Sequence, residues 1–333
     1  MIKFEGEVGF MDSGVNVSII IATYNPDFDK LLTSIKAAIN QKKISFEIII
    51  TDDGSKEDHF QTVKKFFDNI GFKNYQLIKN KTNVGTVKNI LNAVLVAKGE
   101  YVFLNSPGDY IFDENAMADF YYFAKEKKAD ICFGDYIPYH RQNGENIFVD
   151  FVGPKNVEIY NRGIKDYSLC FLIGCGILGA SYFRSKAFLI EALEFVFNYA
   201  KYTEDTTTTA YALLNNVEVL YYSRKIAWYE FGSGISTQGS GKWDQIIRKE
   251  LIDTYSALLN LYPKARYLKA AIFFEENIGD VNWKFKFLIR FPIISLKRII
   301  FKKMPERKLN ANEDEALALS NLQDLQSEKK LIE

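Results

Sequence analysis

Two short acidic segments hold the side chains best suited to bind or activate a substrate. Thr51-Asp52-Asp53-Gly54-Ser55 directly follows the apolar run 46–50, and Asn105-Ser106-Pro107-Gly108-Asp109 directly follows the apolar run 101–104. Both runs are typical of buried parallel strands, whose carboxyl ends meet at one edge of an open α/β sheet, where ligands bind. Carboxylates at that edge suit the polar edges of a nucleotide and a hard metal ion that carries its phosphates.

The elements that position these segments alternate between strand and helix. Four apolar strand patterns are separated by three patterns with helical spacing, at 17–22, 29–41, 46–51, 58–70, 75–79, 87–97 and 101–104. This order predicts a mostly parallel sheet with helices on both faces.

After Asp109 the pattern becomes mixed. We predict a helix, two strands, two helices and another strand, at 114–128, 131–139, 146–152, 183–200, 204–215 and 217–222. A segment rich in Gly and Ser follows at 229–242, and the pattern is helical from Trp243 onward. We therefore predict an α/β fold with one domain at 1–242. A helical C-terminal extension at 243–333 is expected to contact an acceptor, an oligomer partner or a membrane.

Composition narrows the classes of function. The 333 residues carry no formal net charge, which argues against a general nucleic-acid binder, and no run of roughly 18 uncharged apolar residues could span a bilayer. The amino terminus lacks the apolar core of a secretion signal, and the odd count of three cysteines (Cys132, Cys170 and Cys175) indicates reduced thiols. We expect a cytoplasmic location.

The ordered set of motifs at the strand ends resembles the family 2 inverting glycosyltransferases, which have the GT-A fold. The matching segments are 17–25, Asp52-Asp53-Gly54-Ser55, Asn83-Val84-Gly85 with Lys88-Asn89, 99–105, Gly108-Asp109 and Glu204-Asp205. The resemblance covers about residues 15–240 and implies a Rossmann-like, mostly parallel sheet. It also implies transfer of a hexose, with UDP-glucose or UDP-galactose as the expected donor. The acceptor would be a hydroxyl group of a glycan or glycoprotein, and the transfer would invert the configuration at C1 of the hexose.

The resemblance assigns one group of residues to the nucleotide. Asp53 is expected to accept the imide N–H of uracil, and Tyr24 is expected to stack on the ring. Two alternatives stay open, because Asp53 also suits the cap of a turn and Lys88 also suits a solvated helix surface. The full set is Ala22, Thr23, Tyr24, Asn25, Asp53, Gly85, Lys88 and Asn105.

The resemblance assigns metal binding and proton transfer to Asp109 and Asp205. The family's Asp-x-Asp motif holds a divalent cation, Mg²⁺ or Mn²⁺, against the donor diphosphate, so Asp109 is the expected metal ligand. Asn105 replaces the first acid of that motif, and a plain Pro-Gly-Asp turn is the alternative. Asp205 is expected to be the general base that takes the acceptor proton. The alternative is an acid favoured by the positive end of a helix.

Further residues are expected beside the acceptor or in a mobile loop. Gly174-Cys175-Gly176 resembles the region before the acceptor helix, and 229–238 resembles a loop that closes over the donor. Tight packing and an ordinary linker are the respective alternatives. The residues assigned here are Glu204, Gly176, Ser236, Lys242 and Trp243.

Residues 283–303 form a basic, amphipathic segment without an acid. Peripheral membrane contact and helix packing, which includes homo-oligomerisation, explain this pattern equally well. Pro292 is expected to kink the segment.

Three other functions stay open. A sugar-phosphate nucleotidyltransferase should carry a glycine-rich and basic phosphate loop after the first strand, and Thr23-Tyr24-Asn25-Pro26 disfavours it. A non-catalytic partner with the same fold is favoured by Asn105 alone. A membrane or assembly module would act through residues 283–303.

Overall fold

Strands and helices alternate through the first third of the chain, as the sequence predicts. The computed structural model describes residues 14–142, 145–149, 152–154, 157, 160, 177, 179–232, 241–302, 307, 320, 322–324 and 326. The elements up to residue 105 are β1 (Val17–Thr23), α1 (Phe28–Ile39), β2 (Phe46–Asp52), α2 (Phe60–Asn69), β3 (Tyr75–Lys79), α3 (Thr86–Val96) and β4 (Tyr101–Asn105). Each one begins and ends within two residues of its predicted range.

The strands of this first unit are parallel, and their carboxyl ends share one edge. β1 lies between β2 and β4, and β3 pairs with the outer side of β2. The register places Thr23 opposite Asp52 and Ile21 opposite Asn105. Both acidic segments therefore follow strands that end at the same side of the sheet.

The second unit inserts antiparallel strands into the sheet. Its elements are β5 (Tyr110–Ile111), α4 (Ala116–Lys127), β6 (Ile131–Gln142), β7 (Glu145–Phe148), β8 (Tyr182–Ser185), α5 (Lys186–Val196), α6 (Glu204–Leu214) and β9 (Val219–Glu230). Among the described residues the sheet order is β3-β2-β1-β4-β8-β6-β9-β5, with β7 paired to β6. β8 runs antiparallel to both β4 and β6, whereas β6 and β9 are parallel.

Two predictions for this unit were wrong. The single helix predicted at 183–200 is a strand followed by a shorter helix, because Tyr182–Ser185 fills the gap between β4 and β6. Ser185 then caps α5 by accepting a hydrogen bond from the Phe188 N–H. The strand predicted at 217–222 continues to Glu230, and Tyr229 and Glu230 pair with β6 instead of joining a loop.

Alternate side chains of the strands enter different cores. Ile19 and Ile21 of β1 pack in one cluster with residues of α1, α2 and α4, whereas Ile20 packs in another with residues of α3 and α5. This two-sided burial explains why the first strands are apolar without alternation.

The helices after β9 are α7 (Gly241–Leu261), α8 (Arg266–Asn277), α9 (Trp283–Arg290) and α10 (Pro292–Lys302). Their buried side chains, such as Leu258, Leu268 and Phe287, join those of β6, β8, α5 and α6 in one core. The predicted domain boundary at 242 falls at the start of α7. None of the helices in the described ranges is both long and apolar enough to cross a bilayer.

The turn from α3 into β4 is fixed by a buried polar network. The Gly99 N–H donates to Ser18 Oγ (2.8 Å), and Ser18 donates to Glu47 Oε1 (2.7 Å). A Cβ atom on Gly99 would lie 2.6 Å from the carbonyl carbon of Val17. The turn therefore packs directly on the backbone of β1.

Gly99→Ala should lower the unfolding free energy by about 1–3 kcal/mol, because the added methyl group collides with backbone that cannot rotate away. Urea denaturation would measure the change. Gly241→Ala is the matched control, since no atom lies within 4 Å of its added methyl group. Equal stability of the two variants would contradict the close approach of the turn to β1.

Candidate active site

The Asp53 carboxylate ties together three chain segments at the carboxyl edge of the sheet. Its Oδ1 accepts from Asn80 Nδ2 (3.2 Å) and the Val84 N–H (2.8 Å), and its Oδ2 accepts from the Gly85 N–H (2.9 Å). Its own N–H donates to the Thr23 carbonyl at 2.8 Å. A carboxylate offers about four acceptor positions, so these bonds leave one, on Oδ2.

Gly85 makes the contact with Asp53 possible. Its φ is +91°, and a Cβ atom there would lie 2.7 Å from the Lys201 carbonyl oxygen. That carbonyl accepts a hydrogen bond from the Val87 N–H at 3.0 Å, in the first turn of α3. Glycine thus allows the start of α3 to pack between Asp53 and the chain after α5.

The turn after β2 holds the β1–α1 connection. Asp52 accepts from Thr23 Oγ1 (3.1 Å), the Ser55 N–H (2.9 Å) and the Ser55 hydroxyl. Asn25 donates from its N–H to Ser55 Oγ at 2.6 Å. Tyr24, between these tied residues, leaves 52% of its surface exposed, and half-buried Ala22 precedes it. The loop therefore presents an aromatic ring on a fixed backbone.

Asp109 lies in a tight turn that is clamped from two sides. Ser34 Oγ donates to the Asp109 carbonyl (3.0 Å), and Tyr139 donates to the Gly108 carbonyl (2.6 Å). The Asp109 side chain is partly accessible, and its Oδ1 accepts the Glu230 N–H at 3.0 Å. Burial and, secondly, the charge of Glu230 raise the pKa of Asp109 to about 7.

Glu230 brings a second carboxylate next to this turn. Its two oxygens lie 2.6 and 2.7 Å from Lys30 Nζ of α1, and the side chain packs over Gly108. The pair joins the end of β9 to the start of α1. Since Lys30 neutralises Glu230, Asp109 is the acid of this cluster that has no cation at bonding distance among the described residues.

The residues around Asp109 fit a divalent cation that is shared with a ligand. In the described ranges no group of three His, Cys, Asp or Glu side chains is arranged to hold a metal. Magnesium sites commonly use one or two carboxylates and complete the shell with substrate phosphates and water. A cation beside Asp109 would also offset the burial that disfavours its ionised form.

Asn105 carries an unsatisfied donor at the end of β4. Its Oδ1 accepts the Ser106 N–H (2.9 Å), while the buried Nδ2 has no hydrogen-bond partner in the described structure. A buried amide left without a partner costs about 1–3 kcal/mol, so this N–H₂ group is suited to an acceptor supplied by a ligand.

Asp205 lies in the first turn of α6, which packs on β8. Its Oδ1 accepts the Thr206 N–H at 2.7 Å, and burial raises the pKa of the carboxyl group above its ordinary value. One turn further on, Thr209 bonds to the Tyr182 hydroxyl. Since Phe183 pairs with Phe103 of β4, this contact brings α6 beside the strand that ends at Asn105.

Glu204 faces inward, toward a fully buried arginine. Arg184 Nη1 of β8 lies 2.5 Å from Glu204 Oε1 and donates to Thr208 Oγ1 at 3.1 Å. Burial raises the pKa of Glu204, and the Arg184 guanidinium partly opposes that shift. Glu204, predicted to contact the acceptor or the loop, therefore fixes the start of α6 in this structure.

A cavity of about 540 Å³ lies between the start of α3, the end of α5 and α7. Its charged lining consists of three lysines and two acids, namely Lys88, Lys201, Lys249, Glu250 and Asp253, of which Lys249 and Asp253 form an ion pair. Lys88 Nζ is 5.1 Å from the centroid of the Phe197 ring, which places it on the wall of this cavity.

The segment before Asp205 closes the cavity on one side. Glu250 Oε2 of α7 accepts from the Tyr202 N–H (3.0 Å) and the Thr203 N–H (3.1 Å). The rings of Trp243 and Tyr202 pack edge to face, with their centroids 5.1 Å apart. Lys242 lies in the first turn of α7. The predicted residues Gly176 and Ser236 lie outside the described residues, as do Cys170 and Cys175.

Sequence reasoning missed four charged residues that organise the site, namely Lys30, Arg184, Glu230 and Glu250. Arg184 gives one signal, as the only charge in Tyr182–Ser185, but the sequence pattern predicts a helix there. The others resemble ordinary surface charges in the sequence, because their partners are distant along the chain.

Comparison with known proteins identifies the family. The family model described as Glycosyl transferase family 2 matches residues 18–189, just over half of the chain. Glycosyltransferase GlyG of Streptococcus pneumoniae serotype 4 is 28% identical over 186 residues, which cover 54% of this chain and 56% of GlyG. The poly(ribitol-phosphate) beta-glucosyltransferase of Bacillus spizizenii is 32% identical over 125 residues, which cover 36% of this chain and 19% of that enzyme. The chain thus spans little more than half of GlyG and a fifth of the second protein.

Solved structures share the fold along nearly the whole chain. S. aureus TarS 1-349 in complex with UDP matches with a TM-score of 0.55 and 16% identity, covering 94% of this chain and 90% of that chain. The complex of the same protein with UDP-GlcNAc gives a TM-score of 0.52. At this identity the similarity shows the fold alone, and it confirms the predicted α/β architecture of the GT-A type.

Asp109→Asn should stabilise the metal-free protein above pH 7. In the folded protein Asp109 keeps its proton up to about pH 7, whereas in the unfolded chain it loses the proton near its ordinary value of 3.8. The unfolding free energy of the wild-type protein therefore falls as pH rises between these values. The asparagine variant does not undergo this decrease, because its side chain does not ionise. Denaturation in EDTA should show a gain of about 2–3 kcal/mol at pH 8.5 that vanishes near pH 4.

The control for this experiment is Asp58→Asn. A hydrogen bond from the Phe60 N–H and the nearby Lys79 lower the pKa of Asp58, so its replacement should lose stability at high pH. The same sign for both variants would refute the assigned environment of Asp109.

Arg184→Met should destabilise the protein by about 3–5 kcal/mol, because it leaves the buried Glu204 carboxylate without its cation. Adding Glu204→Gln to that variant should restore part of the loss. Thermal unfolding of the single and double variants measures this coupling. Lys64→Met, which breaks the exposed pair with Asp68, should change stability far less. Additive losses at Arg184 and Glu204 would argue against the ion pair.

Proposed function

Because this chain belongs to glycosyl transferase family 2, we propose that it transfers a hexose from a UDP-hexose donor to an acceptor hydroxyl with inversion. One observation carries the proposal. The Asn105 Nδ2 group, which has no hydrogen-bond partner in the described structure, lies at the end of β4, and the Asp109 carboxylate lies in the turn that follows. β4 pairs with β8, on which the helix that carries Asp205 packs. A donor for a ligand, a candidate cation ligand and a candidate base thus lie on neighbouring elements at the edge where the parallel strands end.

The donor nucleoside would lie over the ends of β1 and β2. Tyr24 offers an exposed ring for stacking on uracil, and the remaining acceptor position of Asp53 suits the imide N–H. Complexes of TarS with UDP and UDP-GlcNAc support a uridine donor, since that protein has the same fold. UDP-glucose and UDP-galactose are the donors we propose first.

The diphosphate would extend toward Asn105 and Asp109. Asn105 Nδ2 would donate to a phosphate or ribose oxygen, and Asp109 would hold Mg²⁺ or Mn²⁺. When bound, such a cation neutralises the negative charge that grows on the departing UDP. Lys30 keeps Glu230 neutralised, so the acids of this cluster do not repel the diphosphate together.

Asp205 would act as the general base. In the transfer, the acceptor oxygen bonds to C1 of the hexose while the bond from C1 to the diphosphate oxygen breaks. The hydroxyl proton passes to the Asp205 carboxylate. Attack from the face opposite the leaving group inverts the configuration, and burial that raises the Asp205 pKa makes the carboxylate a stronger base.

The acceptor would be a glycan or a polymer that contains phosphate. The Bacillus spizizenii relative acts on poly(ribitol-phosphate), and WfaP of Escherichia coli acts on alpha-D-GlcNAc-diphosphoundecaprenol. The cavity supports a negatively charged acceptor through Lys88 and Lys201, because the third lysine, Lys249, pairs with Asp253 on the same wall.

Nucleotide release from a panel of UDP-, GDP- and dTDP-sugars tests the proposal. One UDP-hexose should release UDP with Mn²⁺, and EDTA or Asp109→Ala should abolish the release. Asp205→Asn should still bind UDP with wild-type affinity, while transfer to an acceptor falls about 10²–10⁴-fold. Glu194→Gln, an exposed acid of α5, serves as the control and should keep full activity.

Three outcomes would overturn parts of the proposal. No binding or release with any nucleotide sugar would remove the donor site altogether. UDP binding without turnover on glycan and polyol-phosphate acceptors would favour a non-catalytic partner. Full transfer by Asp205→Asn would exclude Asp205 as the base.

A further inference from the structure

In the described part of the chain, helices α9 and α10 pack on the rest of the protein through one face. Phe287 and Phe291 are buried in the core that α7 and α8 share with α5 and α6. Arg298 is also buried, with its guanidinium 4.3 Å from the centroid of Phe274 and 5.0 Å from that of Trp283. The helices break at Phe291, and Pro292 begins α10, where the sequence predicted a kink.

The opposite face of both helices is apolar and uncovered by the described residues. Its large side chains recur at intervals of three or four residues, as on one side of a helix. Each exposes between 47% and 67% of its surface, which is far above the exposure of Phe287 and Phe291. The set is Phe285, Leu288, Ile289, Ile293, Leu296, Ile299 and Ile300. We call these residues the apolar face.

Positive charge surrounds the apolar face. Residues 281–302 contain six Lys or Arg and no Asp or Glu. Lys284, Arg290 and Lys297 are exposed, and Lys286 is exposed and pairs with Asp280 before α9. The combination of an exposed apolar stripe with flanking cations is typical of helices that lie in a lipid headgroup region.

The described parts of the C-terminal tail lie elsewhere. Arg307 pairs with Asp135 of β6 at 2.6 Å, and its carbonyl accepts the Val152 N–H. Leu322 is buried in the core around β1 and α1, and Gln326 bonds to Asn146 of β7. These contacts hold the described residues of the tail against the sheet.

We propose that the apolar face binds the surface of an anionic lipid bilayer, with α9 and α10 lying in the plane of the interface. The apolar side chains would enter the boundary of the acyl chains, and the lysines would contact the anionic headgroups. The positive charge around the apolar face argues against a second copy of this chain as the molecule that covers it. Two such faces would bring the same cations together without an acid between them.

Cosedimentation of the full chain with vesicles tests this inference. One vesicle contains phosphatidylcholine alone, and the other contains equal amounts of phosphatidylcholine and phosphatidylglycerol. Wild type should bind the anionic vesicles, less so at high salt, and barely bind the neutral ones. The triple variant Ile289→Gln, Ile293→Gln, Leu296→Gln should bind at least about tenfold more weakly.

Matched variants distinguish binding through the apolar face from the general effect of substituting surface residues. Ile70→Gln, Leu95→Gln, Leu261→Gln alters three exposed apolar residues elsewhere and should leave binding unchanged. Lys284→Glu with Lys297→Glu should weaken binding by about tenfold or more, whereas Lys65→Glu with Lys127→Glu should not.

Three results would overturn the proposal. Wild type could stay in the supernatant with both vesicles, or the triple variant could bind as well as wild type. Sedimentation equilibrium could also reveal a wild-type dimer that the triple variant loses, which would make a second copy the occupant. None of these residues belongs to the candidate active site, so failure here leaves the proposed glycosyl transfer intact.

Discussion

The parallel pairing of β1 with both β2 and β4 is the constraint on which the rest of the structure depends. Parallel strands end on the same side, so the residues after each strand must share one edge of the sheet. Asp53, Tyr24 and Asn105 are far apart in the chain and come together for this reason alone. Ile19 and Ile21 of β1 enter one core and Ile20 enters the other, so a slip of one residue would exchange side chains between two differently packed cores.

The acids at this edge divide into two groups. Asp52, Glu204 and Glu250 are buried, and they accept hydrogen bonds from turns and helix starts or face an arginine. Asp109 and Asp205 are partly accessible, and burial raises the pKa of both. The first group fixes the loops that carry the second, and Asp109 and Asp205 each accept a backbone N–H through Oδ1. Asp53 has features of both sets of acids, since it accepts hydrogen bonds from two loop N–H groups and retains one acceptor position.

Long-range ion pairs connect the two units of the chain at the site. Lys30 with Glu230 joins α1 to β9, and Arg184 with Glu204 joins β8 to α6. The Arg184–Glu204 pair is buried, where losing one partner costs far more than the pair contributes, whereas Lys30 is 31% exposed. The α7–α10 helices add a further layer, and Glu250 of α7 reaches back to the segment before Asp205. The extension is therefore part of the framework of the site.

The sequence by itself determined the elements of the first unit, the fold class and the residues at the strand ends. Those features arise from local periodicity, from turn-forming residues and from motifs that are contiguous in the chain. The antiparallel strand β8, the extension of β9 to Glu230 and the partners of Lys30 and Arg184 were decided only by tertiary structure. Tyr182–Ser185 has no strand pattern of its own and pairs because a gap exists between β4 and β6. Likewise, an ion pair between residues 30 and 230 has no signature in either local sequence, because it depends on how distant segments pack.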